Sequence, residues 1–400
     1  MLVKYDVIII GAGVIGFSIG IALLDSAPSQ KILILEKESS IGRHASGRNS
    51  GVLHAGFYYS PESLKAKFCS AGNKELRILA NKYGVPIRET GKIVVSKNKN
   101  ESVLLESLFE RGIQNGVDLE LINSKFLSKY EPLAISNESF LWSPKTAISD
   151  PTEILNAMRA EFEKKGGHLV YSAKVKLSER NGEVKISSNN FESKLIVNAA
   201  GAQADRLSRS VGVGMNYAML PFIGLYRSAN FNELPLQKLV YPVPNPKNPF
   251  LGVHFTLTLD SKVKIGPTAL PIFGREQYTL FSGWSSVDVF QAIKGAVSLF
   301  HRDPLNFINL IRSELSNIFE NEIVRKSARL VPAASDVSSW NRMKPGIRAQ
   351  LVNLNSGELE QDYVILTHLN STHVLNAVSP GWTSSLPFGR FIAEKYLNNF

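Results

Sequence analysis

The chain has 400 residues, of which 44% are hydrophobic and 20% charged, an ordinary composition for a globular enzyme. This length exceeds what one hydrophobic core usually organises, so we expect two domains. No segment reaches the roughly 18 apolar residues of a membrane span, which disfavours a transmembrane role. Cys69 is the only cysteine, which excludes an internal disulfide framework, a thiolate metal site and a paired-cysteine redox centre.

The formal net charge is +10, from 45 Lys and Arg against 35 Asp and Glu. This excess favours either attraction to an anionic partner, such as a lipid surface or an acidic metabolite, or a basic solvated face. No nucleic-acid-binding motif accompanies the charge. The first residues enter an apolar run at once, with no room for a leader peptide, so we expect a cytoplasmic protein. Peripheral contact with the inner face of a membrane is compatible with the basic balance.

The first predicted elements form a strand, a helix and a second strand. Residues 5–10 are a continuous apolar run rich in Val and Ile, typical of a strand buried on both faces of a parallel sheet. The helix that follows is expected to end near Ala27, because Pro28 restricts the residue before it. Residues 31–35 are a second buried strand. Together these elements predict a right-handed βαβ unit.

A glycine motif lies between the first strand and the helix. Gly11, Gly13 and Gly16 form GxGxxG, in which the glycines permit a tight turn, backbone approach to a pyrophosphate and close helix packing. The helix N-terminus presents free N–H groups and partial positive charge to phosphates. Glu36 ends the second strand, where a carboxylate can accept hydrogen bonds from ribose hydroxyls. The combination predicts a dinucleotide site and leaves FAD and a nicotinamide cofactor open.

The segment after Glu36 favours the longer cofactor. Residues 41–59 contain many small and polar side chains, in a stretch that we expect to be neither regular helix nor regular strand. Such a stretch suits extended contact with a long ligand.

The rest of the chain predicts further helices and strands. The helices are expected at 62–82, 101–116, 150–166, over 285–326 and after residue 385. The strands are expected at 91–97, around Leu141, at 194–201 and, alternating with a hairpin turn near Asp260, over 217–266.

Five segments carry a specific resemblance: HASGRNSGVLHAGFYYSPESLKAK at 44–67, NAAGAQAD at 198–205, YPVPNPKNPFLGVHFT at 241–256, PGIRAQ at 345–350 and NAVSPGWTSS at 376–385. They are similar to the D-amino acid oxidase superfamily of flavoproteins, and most to its L-2-hydroxyglutarate oxidases and dehydrogenases. The resemblance implies non-covalent FAD, a two-domain fold and oxidation of L-2-hydroxyglutarate to 2-oxoglutarate. The alternatives are an amine or amino acid oxidase on the same scaffold and a flavin-binding subunit without turnover of its own.

The expected architecture is α/β. A discontinuous Rossmann-like FAD-binding domain takes residues 1–84, 145–212 and 345–400, and an α+β substrate domain with a mixed or antiparallel sheet takes residues 85–144 and 213–344. We expect no metal site. The predicted cofactor-binding residues are Gly11, Ala12, Gly13, Val14, Ile15, Gly16, Glu36, Lys37, Ser46, Asn49, Ser50, Gly51, Val52, Val175, Ala200, Gly201, Ser379, Pro380, Gly381, Trp382 and Thr383.

Within this set, the resemblance implies that residues 379–385 point backbone N–H groups and a helix N-terminus at the flavin pyrimidine. Trp382 interrupts a stretch usually made of smaller residues in the family. It therefore either alters the flavin or substrate contact or packs on the domain surface. His44 and Cys69 raise the alternative of a covalent flavin link, but neither stands where the attachment is expected, and Cys69 is most simply a buried small hydrophobe.

Oxidation of a 2-hydroxy acid requires a hydride acceptor, a base for the hydroxyl proton and a cation for the carboxylate. The base candidates are His254 first and His54 second, with a structural histidine as the alternative for each. Arg348 resembles the position at which related amino acid oxidases hold the substrate carboxylate; the alternative is a surface salt bridge. The second carboxylate requires another cation or donor, and Lys65, Arg329, Tyr58 and Tyr59 are unranked candidates. Oxygen and a membrane quinone both remain open as electron acceptor.

Overall fold

The structure is a computed structural model, described over residues 3–187, 190–245, 250–279 and 282–397. Part of the resembling segment at 241–256 therefore lies outside the described residues. The strands are β1 (Val3–Ile10), β2 (Ile32–Leu35), β3 (Val52–Leu53), β4 (Lys92–Val95), β5 (Glu120–Asn123), β6 (Ser139–Ser143), β7 (Ala147–Ile148), β8 (His168–Val170), β9 (Leu177–Arg180), β10 (Glu183–Ile186), β11 (Phe191–Asn198), β12 (Tyr217–Gly224), β13 (Arg227–Asn230), β14 (Leu239–Pro242), β15 (His254–Leu257), β16 (Lys262–Gly266), β17 (Leu270–Pro271), β18 (Asn341–Arg342), β19 (Gly346–Asn353), β20 (Glu358–Leu359), β21 (Ile365–His368) and β22 (Ser371–Val374). The α-helices are α1 (Val14–Ser26), α2 (Leu64–Lys82), α3 (Lys99–Gln114), α4 (Pro151–Lys164), α5 (Ala204–Arg209), α6 (Ser286–Arg302), α7 (Pro304–Ser316), α8 (Glu320–Ala328) and α9 (Ser385–Ile392).

The predicted βαβ unit forms the centre of a sheet that has six strands within the described residues, in the order β21, β22, β11, β1, β2 and β8. All neighbouring pairs are parallel except β21 with β22. Ile8, Ile9 and Ile34 are fully buried, because helices and loops cover both faces of the sheet. The Rossmann-like fold predicted from these runs is confirmed.

A second, mixed sheet contains the strands β18, β13, β16, β15, β14, β4, β6 and β5 in that order. Strand β4 lies inside it, parallel to β14 and antiparallel to β6. The predicted hairpin is confirmed: β15 pairs antiparallel with β16, and Ser261 at the turn has a φ of 55°. This sheet carries both His254 and the first residue of β4, Lys92.

A third sheet joins parts of the two predicted domains. Strand β12 pairs antiparallel with β19 along its whole length, so that Phe222 lies opposite Arg348. Helix α6 covers this pair, and Gly295 packs directly against Leu220 and Val352. The pairing joins a strand of the predicted substrate domain to a strand of the predicted FAD-binding domain. It does not decide where one domain ends and the other begins, so the domain limits stay a prediction.

One local prediction was wrong. Residues 41–59 were expected to contain no regular strand, yet Val52 and Leu53 form β3 and pair with Ile148 and Ala147 of β7. A short 3₁₀ turn at Ala45–Gly47 precedes them. The partner strand is far away in the chain, so the local residue pattern contains no signal for this pairing.

Candidate active site

A cavity of about 680 Å³ lies at the carboxyl ends of the parallel strands. Its walls include Gly11 after β1, Glu36 after β2, Ala199 after β11 and Leu375 after β22. In open α/β sheets this edge is where ligands bind. Apart from Gly16 and Gly51, every predicted cofactor-binding residue lines the cavity.

The glycines of the motif are required by close backbone contacts. Gly11 has a φ of 108°, and a Cβ there would lie 2.6 Å from the Ala199 carbonyl oxygen. A Cβ at Gly16 would lie 2.0 Å from the Gly11 oxygen, so Gly16 shapes the turn without reaching the cavity. Gly51 has a φ of 75° and abuts the Ser149 carbonyl oxygen. The last two glycines therefore have a structural role.

The start of α1 is open to an anion. No side chain caps Gly13, and no acidic residue occurs in the first turn. The Glu36 carboxylate accepts hydrogen bonds from the backbone N–H groups of Ala12 at 3.0 Å and Glu38 at 2.9 Å, which fix its orientation at the cavity wall. Ser46 accepts from the N–H of Val14 at 3.1 Å. These contacts place a helix end that is suited to a pyrophosphate beside a positioned carboxylate.

The loop before α9 closes the other side of the cavity. Thr383 Oγ1 accepts from the backbone N–H of His54 and donates to the carbonyl of Val52, both at 3.2 Å, and so ties this loop to β3. Trp382 is 9% exposed, lines the cavity and belongs to the hydrophobic core. Its indole Nε1 is buried without a hydrogen-bond partner among the described residues. The alternative of a tryptophan packed on the domain surface is wrong.

A charged network that the sequence did not predict covers the cavity near Glu36. Lys37 contacts both Glu38 and Glu276, the latter at 3.0 Å. His44 bridges Glu38 and the Tyr278 hydroxyl at 2.9 and 3.0 Å. The pKa of Glu38 is lowered to about 2, first by its hydrogen bond to Lys37 and then by that to His44. Because Lys37 and His44 already occupy oxygens of Glu38, and Lys37 and Gln203 those of Glu276, we assign no metal to this cluster.

His254 has a fixed tautomer. Its Nδ1 lies 2.9 Å from the Gly252 carbonyl oxygen, which only accepts hydrogen bonds, so Nδ1 carries the proton and Nε2 is the acceptor nitrogen of the neutral ring. The ring stacks on Tyr241 with centroids 3.9 Å apart. Burial lowers the pKa of His254 to about 3, and the positive charges of Arg348 and Lys92 contribute. The imidazole is therefore a neutral base at physiological pH.

His54 is held by its backbone and lines the cavity. Its carbonyl accepts from Asn73 Nδ2 at 3.1 Å. Nδ1 of His54 is buried without a partner among the described residues. Burial holds the pKa of His54 well below its usual range, with further contributions from Lys92 and His254. Both predicted histidines therefore lie within the electrostatic influence of Lys92, but only His54 lines the cavity.

Two cations that act electrostatically on His254 have no carboxylate partners in the described part of the chain, and of the two only Arg348 lines the cavity. Arg348 lines the cavity and lies 5.3 Å from the Phe250 ring. Lys92 is fully buried, and its Nζ has no hydrogen-bond partner among the described residues. The amine lies 4.5 Å from the ring of Phe57, 4.6 Å from that of Tyr58 and 4.8 Å from that of Tyr241.

Burial lowers the pKa of Lys92 to about 7. Lys92 was not predicted as a site residue, because its segment is typical of a structural strand. The signal in the sequence is a lysine directly before three apolar strand residues. A lysine is almost never fully buried unless it is paired.

The remaining candidates differ in position. Lys65 is buried 5.8 Å from the Tyr363 ring, and burial lowers its pKa to about 8. Tyr58 has a buried hydroxyl without a partner among the described residues. Arg329 is exposed at the end of α8 and does not line the cavity. Cys69 is fully buried, and burial raises the pKa of its thiol to about 12, which makes it a poor nucleophile for flavin attachment.

Comparisons with known proteins agree with this site. The model of the DAO family, described as FAD dependent oxidoreductase, matches residues 6–395. The chain belongs to this family of FAD-dependent oxidoreductases. Its curated relatives over nearly the full length are L-2-hydroxyglutarate dehydrogenases: that of Escherichia coli (strain K12) is 34% identical over 98% of this chain and 93% of its own length, and the mitochondrial one of Caenorhabditis elegans is 34% identical over 100% and 94%.

Solved structures support the fold. L-alpha-glycerophosphate oxidase from Mycoplasma pneumoniae, solved with FAD bound, has a TM-score of 0.74 at 22% identity and covers 97% of this chain and 94% of its own. Glycine oxidase from Geobacillus kaustophilus has a TM-score of 0.69 at 20% identity and covers 98% and 94%. The predictions of an FAD-dependent oxidoreductase and of resemblance to the L-2-hydroxyglutarate family are confirmed.

The residues present fit FAD. The open end of α1, the oriented Glu36 carboxylate and the unpaired Trp382 Nε1 all meet one cavity of the size that cofactors occupy. In this arrangement the α1 N-terminus would hold the pyrophosphate and Glu36 the ribose hydroxyls. Non-covalent attachment stays a prediction.

We expect Gly11→Ala to abolish stable FAD binding, because its Cβ would collide with the Ala199 carbonyl and the backbone there has a positive φ. The matched control is Gly84→Ala, where φ is 67° and nothing lies within 4 Å of an added Cβ. The measurement is the ratio of flavin to protein absorbance after purification. Full flavin content in Gly11→Ala would contradict the assignment of this turn.

Proposed function

We propose that this protein oxidises L-2-hydroxyglutarate to 2-oxoglutarate, with FAD as the hydride acceptor. The observation that carries the proposal is that one neutral histidine base, His254, lies near two cations, Arg348 and Lys92, that lack carboxylate partners within the described residues. A substrate with one hydroxyl and two carboxylates matches this set of groups. The curated relatives support the same substrate by name.

The two cations would bind the two carboxylates. Arg348 can hold the carboxylate beside the reacting carbon with its planar guanidinium, which positions the hydroxyl-bearing carbon. Lys92 would hold the distal carboxylate as a point charge, with Phe57, Tyr58 and Tyr241 excluding water around its amine. A carboxylate there would also satisfy a buried amine for which the described residues provide no partner.

His254 Nε2 would accept the hydroxyl proton. The carbonyl of Gly252 holds the ring in the required tautomer and stabilises the imidazolium that forms. The positive charges of Arg348 and Lys92 lower the pKa of His254 in the free protein. A bound dianion offsets those charges, so substrate binding strengthens the base when it is needed. FAD, when bound, supplies the acceptor for the hydride from the same carbon.

The alternative is an amine or amino acid oxidase, because such enzymes share this fold. Such an enzyme needs its substrate nitrogen neutral and can dispense with a protein base, whereas a hydroxy acid enzyme requires one. Turnover with an artificial electron acceptor should occur with L-2-hydroxyglutarate and not with D-2-hydroxyglutarate, L-glutamate or glycine. Turnover with an amine alone would retain the fold and overturn the proposed function.

The ionisation of Lys92 predicts the pH dependence. With a pKa lowered to about 7, the amine of the free protein is charged below that pH and neutral above it. The kcat/KM for the dianion should therefore fall as pH rises above about 7, by up to about tenfold per pH unit. Lys92→Met should remove this dependence. An unchanged pH profile in that variant would assign the ionisation to another group, such as Lys264, whose pKa burial lowers to about 8.

We further propose that the FAD-binding and substrate domains have the predicted limits, with the substrate bound between Arg348 on β19 and Lys92 on β4.

The electron acceptor is oxygen or a membrane quinone. In the described part of the chain no helix is long and apolar enough to cross a membrane. Oxygen consumption with the acid as sole reductant, compared with reduction of a soluble quinone analogue, distinguishes the two. Oxygen uptake at the full turnover rate would remove the quinone alternative.

A further inference from the structure

Residues 273–278 lie between β17 and α6 and form a compact turn, called the clasp below. The side-chain carbonyl of Gln277 accepts a hydrogen bond from the backbone N–H of Gly274 at 3.0 Å. The backbone N–H of Tyr278 donates to the carbonyl of Glu276 at 2.9 Å. These bonds close the turn on itself, so the clasp has a defined conformation.

Arg275 ties one side of the clasp to two helices. Its guanidinium donates to the Asp288 carboxylate on α6 at 2.7 Å and to both oxygens of Asp205 on α5, one of them at 2.9 Å. It also donates to the carbonyl of Ala202 at 2.7 Å. Arg275 is 2% exposed, and breaking a buried pair of this kind is strongly destabilising. This side of the clasp is therefore fixed.

The other side of the clasp contacts the loop that follows β2. The Glu276 carboxylate pairs with the Lys37 amine at 3.0 Å. The Tyr278 hydroxyl lies 3.0 Å from His44 Nδ1, and the Tyr278 ring lies 4.1 Å from the guanidinium of Arg48. The clasp thus bridges from the two helices to this loop.

The bridge lies at the part of the cavity that fits the adenosine half of FAD. Glu38 stands two residues after Glu36, and its backbone N–H donates to the Glu36 carboxylate at 2.9 Å. From the clasp, Arg275, Glu276 and Tyr278 all line the cavity. A dinucleotide held by Glu36 would therefore be enclosed between the loop after β2 and the clasp.

The contacts on the two sides of the clasp differ in how easily they break. Opening at Arg275 would leave buried charges unpaired. The side chains of Lys37 and Glu276 are 26% and 27% exposed, so water and ions can replace their contact when it separates. The clasp should therefore open at the loop after β2, while Arg275 stays anchored.

We propose that the clasp controls the exchange of FAD, which leaves or enters when Glu276 and Tyr278 separate from Lys37 and His44. These four side chains contact one another, so weakening their contacts should speed release and uptake of FAD together. The equilibrium affinity should change little, because contacts within the protein favour the closed form with or without the cofactor. The proposal goes beyond the proposed oxidation and does not depend on which substrate the enzyme oxidises.

Dilution of the FAD-loaded protein tests this proposal, because it gives both the rate at which flavin is released and the amount released at equilibrium. Tyr278→Phe removes one hydrogen bond and should raise the release rate about fivefold. Glu276→Ala removes a charged partner and should raise the release rate about tenfold. The dissociation constant for FAD should stay within about twofold of the wild-type value in both variants.

The matched control is Glu75→Ala. Its carboxylate has a similar exposure, 26%, and pairs with Arg390 at 2.7 Å, but Glu75 does not line the cavity. Its release rate should equal that of wild type. If Glu276→Ala does not fold, the conservative Tyr278→Phe decides the test.

Two results would overturn the proposal. The first is an unchanged release rate in Tyr278→Phe. The second is a dissociation constant that rises in proportion to the release rate, because this would assign the clasp side chains to direct contact with FAD. The assay measures free flavin and uses no substrate, so a failure of the proposed oxidation would leave its result unaffected.

Discussion

Replacing His254 by asparagine should lower kcat/KM for L-2-hydroxyglutarate by about a hundredfold to ten-thousandfold, the usual contribution of a positioned general base. Asparagine retains an N–H donor for the Gly252 carbonyl, which now binds Nδ1 at 2.9 Å, but provides no base at the position of Nε2. The measurement is the rate of flavin reduction in rapid-mixing experiments, with flavin content unchanged.

Two further variants sharpen this prediction. His54→Asn removes the other imidazole of the site, and a larger loss than in His254→Asn would exchange the two assignments. His368→Asn serves as the control, because that histidine pairs with Glu179 at the surface, 3.0 Å away. Near-wild-type reduction in His254→Asn would contradict the assignment of the base.

Replacing Lys92 by methionine should lower kcat/KM for L-2-hydroxyglutarate about a hundredfold, because the distal carboxylate would lose its charged partner in a buried site. The loss should be much smaller for L-2-hydroxyvalerate, a monocarboxylate with the same five-carbon chain. Steady-state kinetics with both acids therefore measure a change in specificity, which general damage to the fold would not produce.

Lys264→Met is the matched control for Lys92→Met. Both lysines are buried in the same region, but the amine of Lys264 already donates to the Ser50 carbonyl at 3.0 Å. Lys92→Met should melt at a temperature no lower than wild type, because it removes an unpaired amine from an apolar environment. Equal losses for both acids in Lys92→Met would contradict its role as the residue that selects a dicarboxylate.

The FAD-binding part of the fold was predictable because its signals are local. A buried strand, GxGxxG and a terminal acid occur within the first forty residues, and the structure places Gly11 and Glu36 as the motif requires. The long segment after Glu36 needed the family resemblance, since small polar residues alone fit many loops. Its short strand β3 depends on a partner about a hundred residues away, so it was missed.

The substrate side of the site was less predictable for the same physical reason. His254 and Arg348 were found through resemblance, but Lys92 lies on a strand that local pattern assigns to the core. Its surroundings form only when β4 meets β14, which brings the ring of Tyr241 to the amine, and when the segment after β3 adds the ring of Tyr58. The network of Lys37 and Glu276 was likewise invisible, since its members are far apart in sequence.

Anaerobic titration of the purified yellow protein with L-2-hydroxyglutarate tests the central claim most directly. The account predicts bleaching of the flavin absorbance near 450 nm, in the usual region for oxidised flavin chemistry, with one 2-oxoglutarate formed for each flavin reduced. The D-enantiomer, L-glutamate and glycine should leave the spectrum unchanged. A flavin that stays oxidised with L-2-hydroxyglutarate but bleaches with an amine would contradict the account.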